Sequence, residues 1–116
     1  MLITIDPNGG APAYDRIAEA VAAQIADGTI SRGERLPAAR DLADALGLNV
    51  HTVLHAYQRL RDEGLVELRR GRGAIVVGTG GGEPLRRAVA AAVAEARAAG
   101  VALPALIALV RKEHQS

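Results

Sequence analysis

The sequence predicts a mainly α protein with one small β-hairpin: three helices, the hairpin, then two more helices beyond a glycine-rich linker. Three observations carry that reading. Apolar residues recur at helical spacing in five separate segments. Between the third and the fourth, "LVEL" and "AIVV" are extended runs on either side of "RRGRG". The stretch "GTGGG" at 78–82 then breaks the pattern and divides the chain into 1–78 and 79–116.

The first helix is expected at roughly 12–27, where Tyr14, Ile17, Val21 and Ile25 share a face, Pro12 suits the first turn and Gly28 the stop. "TISRGERLP" is a connector anchored by Ile30 and Leu36, with Pro37 opening the next helix. "AARDLADALGLN" places Leu42, Ala43 and Leu46 on one face, and Gly47 follows where a tight turn wants positive φ. "VHTVLHAYQRLRDEG" is the third helix, with Val53, Ala56, Tyr57 and Leu60 as its apolar stripe and Gly64 as its end. Two short helices joined by a glycine-containing turn follow the helix-turn-helix plan, in which the second helix is the reader. A hairpin after three helices completes a winged helix-turn-helix. "GTGGG" reads as a flexible hinge. Beyond it, "EPLRRAVAAAVAEARAAG" carries Leu85, Val89, Val93 and Ala96 on one stripe, and "LPALIALVRKEH" carries Leu103, Leu106, Ile107 and Val110. Leu85, Val89, Val93, Leu103, Leu106, Ile107 and Val110 offer more apolar surface than two short helices can hide on each other. The tail at 79–116 is therefore expected to pair with a second copy, making a homodimer.

Composition narrows the function. There is no cysteine, so disulfides and thiolate chemistry are out. The N-terminal "MLITIDPNGG" lacks the basic and apolar regions of a secretory signal. The longest uncharged stretch, "AAGVALPALIALV", is 13 residues and too short to span a bilayer. A cytoplasmic protein without a membrane partner is expected. No nucleophile elbow, metalloprotease motif or phosphate-binding lysine loop is present, so an enzyme is not expected, nor is a cofactor. With two tyrosines and no Phe or Trp, stacking platforms for single strands are nearly absent. Net charge is +1, and residues 1–80 hold nine arginines against ten acidic residues, a net of −1. Any basic surface must come from placement and not from excess.

The hairpin crowds Arg69, Arg70 and Arg72 around Gly71 and Gly73. Like charges repel, so the crowding needs an external reason. Duplex DNA carries one negative charge per roughly 1.7 Å of helix axis, and a narrow cationic tip can enter its minor groove. The plainer alternative is a charged turn that discourages edge-to-edge pairing. At the start of the third helix, Asn49, His51 and Thr52 lie where side chains reach base edges and amides reach phosphate, with Asn49 also suited to cap the helix. His51 and His55 are spaced i, i+4, which would also suit a metal. No third ligand stands nearby, so a DNA-facing surface is expected and no metal. Arg59, one turn on, either extends this edge or pairs with Asp62.

Residues 12 to 77 resemble the DNA-binding domain of the GntR family of bacterial transcription regulators. The matching pieces are "PAYDRIAEAVAAQIADGTISRGERLPAARDLADALG", "NVHTVLHAYQRL" and "EGLVELRRGRGAIV". The two-helix tail resembles the short YtrA-like branch, which has no separate ligand-binding domain and uses its tail to dimerise. The resemblance implies a contact from Arg40, in "LPAAR", to a phosphate or a guanine edge; an ion pair with Asp41 or Asp44 is the bland alternative. It also implies a homodimeric regulator, a repressor, bound to double-stranded DNA at an inverted-repeat operator. A protein-interaction module built on the same winged helix is the alternative, kept open by the near-neutral charge. Nothing in the sequence identifies a small-molecule effector. The chain departs from the family at Ala38, where relatives often have Ser, and at Val50, Leu54 and His55, where they often carry basic residues. The backbone grip of the third helix should be weaker for it, and more of that grip should fall on the hairpin.

Overall fold

A computed structural model describes residues 12–116. In order, the elements are α1 (Ala13–Ala26), α2 (Ala39–Leu46), α3 (Val50–Asp62), β1 (Val66–Arg69), β2 (Gly73–Val76), α4 (Gly82–Ala98) and α5 (Leu103–His114). The N-terminal stretch read for a secretory signal lies outside the described residues. The chain divides after Gly82 into two compact units.

In the first unit α3 is the central element, packed on α1, α2 and β1. Its stripe of Val53, Ala56, Tyr57 and Leu60 is buried against Ile17, Val21 and Ile25 of α1 and Leu42 and Ala43 of α2, as the spacing required. Each such aliphatic side chain contributes about 1.5–3 kcal/mol when fully buried. The connector anchors Ile30 and Leu36 are both buried. Pro37 stands one residue further out than expected: Ala38 is the N-cap of α2 and makes no side-chain cap hydrogen bond.

The hairpin is antiparallel, pairing Val66 with Val76, Leu68 with Ala74 and Arg69 with Gly73. Alternation puts Val66, Ala74 and Val76 into the core and Glu67 outside. The connector is more than a loop, because it runs along β2. Gly33 N–H donates to the Val76 carbonyl at 2.7 Å, Val76 N–H to Glu34 at 2.9 Å, and Leu36 N–H to Ala74 at 2.9 Å. That ladder bridges Arg35 to Ile75 and fixes where the Arg35 side chain starts.

The expected flexible hinge is corrected. Gly78 N–H donates to the Leu65 carbonyl at 3.1 Å, and Gly81 N–H to the Ala26 carbonyl at 2.8 Å. A Cβ on Gly80 would lie 2.0 Å from the Ile25 oxygen and 2.6 Å from that of Ala26. The glycines permit backbone to lie directly on the end of α1; here they serve close approach, not looseness.

In the second unit, Val101 N–H closes the α4–α5 turn on the Ala96 carbonyl at 2.8 Å. Among its residues only Ala96 is buried, with Val93 and Leu106 half-buried beside it. Leu85, Val89, Leu103, Ile107 and Val110 are all exposed. Among the described residues no helix is long and apolar enough to cross a membrane.

Candidate nucleic-acid interface

The start of α3 is built by Asn49, whose Oδ1 accepts the His51 N–H at 2.8 Å. This satisfies one of the amides that a helix N-terminus leaves open. His51 is exposed and Thr52 half-buried at the same turn. Opposite the buried stripe, His51, Leu54 and Gln58 follow one another at i, i+3 and i+7, all exposed. A bond from its buried stripe helps hold the helix in this orientation. The Tyr57 hydroxyl donates to the Pro37 carbonyl at 2.7 Å and ties α3 to the chain just before α2. Burial of that hydroxyl pushes its pKa up to about 12.

At the hairpin tip, Arg72 N–H donates to the Arg69 carbonyl at 3.0 Å. Gly71 and Gly73 adopt φ of 79° and 73°, a left-handed conformation that other residues rarely take. The tight tip spreads the three arginines to different fates. Arg69 donates twice to Glu67 Oε2, at 2.9 and 2.7 Å. Arg70 and Arg72 are exposed and form no ion pair with a described residue. Arg40 is likewise exposed and has no ion partner among the described residues, so the local pairing with Asp41 or Asp44 is not formed.

Between the hairpin and the helices lies a groove of about 430 Å³. Its floor includes Leu54 and Gln58 of α3, Ala38 and Ala39 at the start of α2, and Leu68 and Ala74 of the hairpin. Arg35, Arg69 and Arg70 line it as well, and no acidic residue does. Arg35 was missed in the sequence, because its position depends on the connector's pairing with β2. Gln58 was missed too, although its spacing from His51 was a usable signal.

Two expected members of the basic edge are occupied elsewhere. Arg59 Nη1 contacts Asp15 Oδ1 at 2.6 Å, and its Nε contacts Glu63 Oε1 at 2.9 Å. Its partner is therefore not Asp62, which binds Arg61. The hydrogen bonds that Arg59 donates to the Glu63 carboxylate and then to that of Asp15 hold its pKa above its ordinary value. The bond to Asp15 ties α3 to α1. The His55 ring stacks on Tyr14, with centroids 3.9 Å apart and an interplanar angle of 11°. That contact sets His55 on the α1 side of the helix, apart from the groove. Among the described residues no cluster of three or more His, Cys, Asp or Glu side chains could hold a metal.

Residues 13–76 match the family "Bacterial regulatory proteins, gntR family". The HTH-type transcriptional repressor YtrA of Bacillus subtilis (strain 168) is 36% identical over 75 residues, which are 65% of this chain and 58% of that protein. The chain thus spans little more than half the length of that relative. YtrA from Sulfolobus acidocaldarius, a GntR-family transcription factor, superposes with a TM-score of 0.63 at 35% identity, over 81% of this chain and 99% of that one. AraR(DBD), solved in complex with operator ORX1, superposes with a TM-score of 0.57 at 25% identity, over 64% of this chain and 92% of the other.

Proposed function

The chain belongs to the gntR family of bacterial regulatory proteins, and from that premise we propose that it is a cytoplasmic repressor, a homodimer that binds double-stranded DNA at an inverted repeat. The observation that carries the reading is the acid-free groove between α3 and the hairpin, with the uncommitted Arg70 on its hairpin side and Arg72 exposed nearby at the hairpin tip. In this reading α3 enters the major groove, with Asn49, His51 and Thr52 at its leading turn. The hairpin tip lies in the adjacent minor groove, and Arg40 takes a phosphate or guanine edge. Arg35 joins the phosphate contacts. Arg59 has no part in them.

The dimer is supported by the second unit's bare surface. Two helices with one buried residue between them gain too little from water to hold their shape. A second copy is the occupant whose apolar face matches, since a two-fold axis sets each stripe against its own repeat. Binding to an inverted repeat follows from that axis.

Selection of bound duplexes from a random pool tests the reading directly. Arg70→Ala with Arg72→Ala should weaken specific and random duplexes alike and flatten the salt dependence by about two units per subunit, or about four for the dimer. Unchanged affinity for both would remove the hairpin from the interface. Binding that barely responds to salt would favour docking to a protein partner. Ile107→Asp with Val110→Asp, both exposed within the unit, should give monomers in light scattering whose first unit stays folded, with most operator affinity lost. A persisting dimer would place the interface elsewhere.

A further inference from the structure

We propose that Leu54 reads the 5-methyl group of a thymine and that Gln58, one turn on, reads an adenine edge, so that each half-site carries A·T pairs beneath the middle of α3. The proposal rests on the reading of α3 as the helix in the major groove, and it names the base chemistry that this helix selects.

The argument begins with what Leu54 does not do. It is 40% exposed and stands outside the buried core, so the fold does not need its side chain. It lies between His51 and Gln58 on the exposed stripe, where a solvated helix face would carry a polar residue. Across the groove Leu68 is 41% exposed, facing the same space from the hairpin. Two half-exposed leucines bordered by arginines form an apolar floor under a cationic rim.

A phosphate cannot use Leu54, which has no donor. The bases can. Of the features in the major groove, the thymine 5-methyl is the apolar one; the others are hydrogen-bond donors and acceptors. An aliphatic side chain on the reading face therefore discriminates for thymine and against cytosine, which lacks the methyl. Gln58 supplies the complementary half. Its side chain forms no hydrogen bond with a described residue, and its amide has the donor and acceptor that pair with adenine N6 and N7. Four residues along a helix rise about 6 Å, close to two base-pair steps, so the two side chains address pairs one or two steps apart. Neither side chain is charged, so this contribution should persist at salt concentrations that weaken the arginine contacts.

The test uses the full chain and the duplex recovered from the random pool, with each thymine replaced in turn by deoxyuridine. That exchange removes one methyl group and nothing else. Burial of a methyl-sized group is worth about 0.8 kcal/mol, so the wild type should lose about fourfold in affinity at one thymine per half-site. Leu54→Ala should bind the thymine and deoxyuridine duplexes equally. Leu54→Arg should gain overall affinity while also losing the methyl dependence. Gln58→Ala should relax selection at an adenine one or two pairs away. Unchanged melting of each variant shows that the fold is intact, as expected at exposed positions. If no thymine is sensitive to its methyl, or Leu54→Ala keeps the full sensitivity, the assignment is wrong while DNA binding stands. If no duplex is enriched at all, the DNA-binding reading falls first.

Discussion

Replacing Gly80 by alanine separates a docked linker from a flexible hinge by the sign of its effect. Gly80 is not among the glycines with positive φ, so alanine meets no backbone strain there. At a loose position of this kind Gly→Ala stabilises by about 0.4–1 kcal/mol, because the unfolded chain loses freedom. The geometry demands the opposite. The added Cβ would meet the Ile25 oxygen at 2.0 Å, the Ala26 oxygen at 2.6 Å and the Ala26 carbonyl carbon at 2.9 Å, all of them backbone. Relief requires a retreat of more than about 1 Å to reach van der Waals separation. That retreat breaks the Gly81 N–H bond to Ala26, worth about 0.5–1.5 kcal/mol, on top of an overpacking cost of about 1–3 kcal/mol. A loss of about 2–3 kcal/mol is expected, which lowers the melting temperature of a small domain by on the order of 10 °C. Gly78→Ala should cost less, since its closest neighbour is the movable Leu65 Cδ2 at 2.9 Å. Urea and thermal melts followed by circular dichroism give both numbers. A Gly80→Ala protein as stable as the wild type would refute the docking argument.

Arg59→Ala should lower stability by at most about 1 kcal/mol, since the pairs it breaks are partly exposed, and should leave the salt dependence of DNA binding unchanged; a flatter dependence would return Arg59 to the interface. Tyr57→Phe should cost about 0.5–1.5 kcal/mol at neutral pH through the lost bond to Pro37, measured by denaturant titration. It should also change the alkaline profile. The Tyr57 pKa, raised from 10.0 to about 12, means that the folded chain holds the proton more tightly. That contribution is present in full below pH 10 and is lost as pH rises toward 12, by up to about 3 kcal/mol. The phenylalanine variant should lack this decline, and an identical decline in both proteins would count against the burial argument. Asn49→Ala should cost about 1 kcal/mol by uncapping α3, while Asn49→Asp should keep the cap, as melting of the two variants will show.

The helices and their buried faces were legible because each rests on local spacing. Val53, Ala56, Tyr57 and Leu60 declare a stripe that any partner must cover, and α1 and α2 cover it. Asn49 was legible as a cap for the same reason: its bond reaches two residues. What the sequence hid depends on contacts far along the chain. Arg59 meets Asp15 across 44 positions, which no spacing rule reveals. The stacking of His55 on Tyr14 is of the same kind. "GTGGG" misled because glycine permits both freedom and close approach, and only the neighbouring carbonyls of Ile25 and Ala26 decide between them. Arg35 was overlooked because a connector with one polar edge does not look like a strand until β2 pairs with it.

Near-neutral charge is compatible with a nucleic-acid surface because of how the pairs are distributed. Arg59, Arg61 and Arg69 absorb Asp15, Glu63, Asp62 and Glu67. Arg35, Arg40, Arg70 and Arg72 are left without an ion partner among the described residues, and no acid lines the groove. Four cations per subunit would release a limited number of counterions. At roughly 0.9 logarithmic units for each phosphate neutralised, these four in each subunit of the proposed dimer would give a salt slope of about −7. That attraction carries no sequence information, and the preference for one duplex must come from side chains that touch base edges. In the proposed reading the discriminating work falls on the stripe of α3 where His51, Leu54 and Gln58 stand exposed. In that reading a second copy would matter as well, since two reading heads held together gain affinity from linkage that neither has alone.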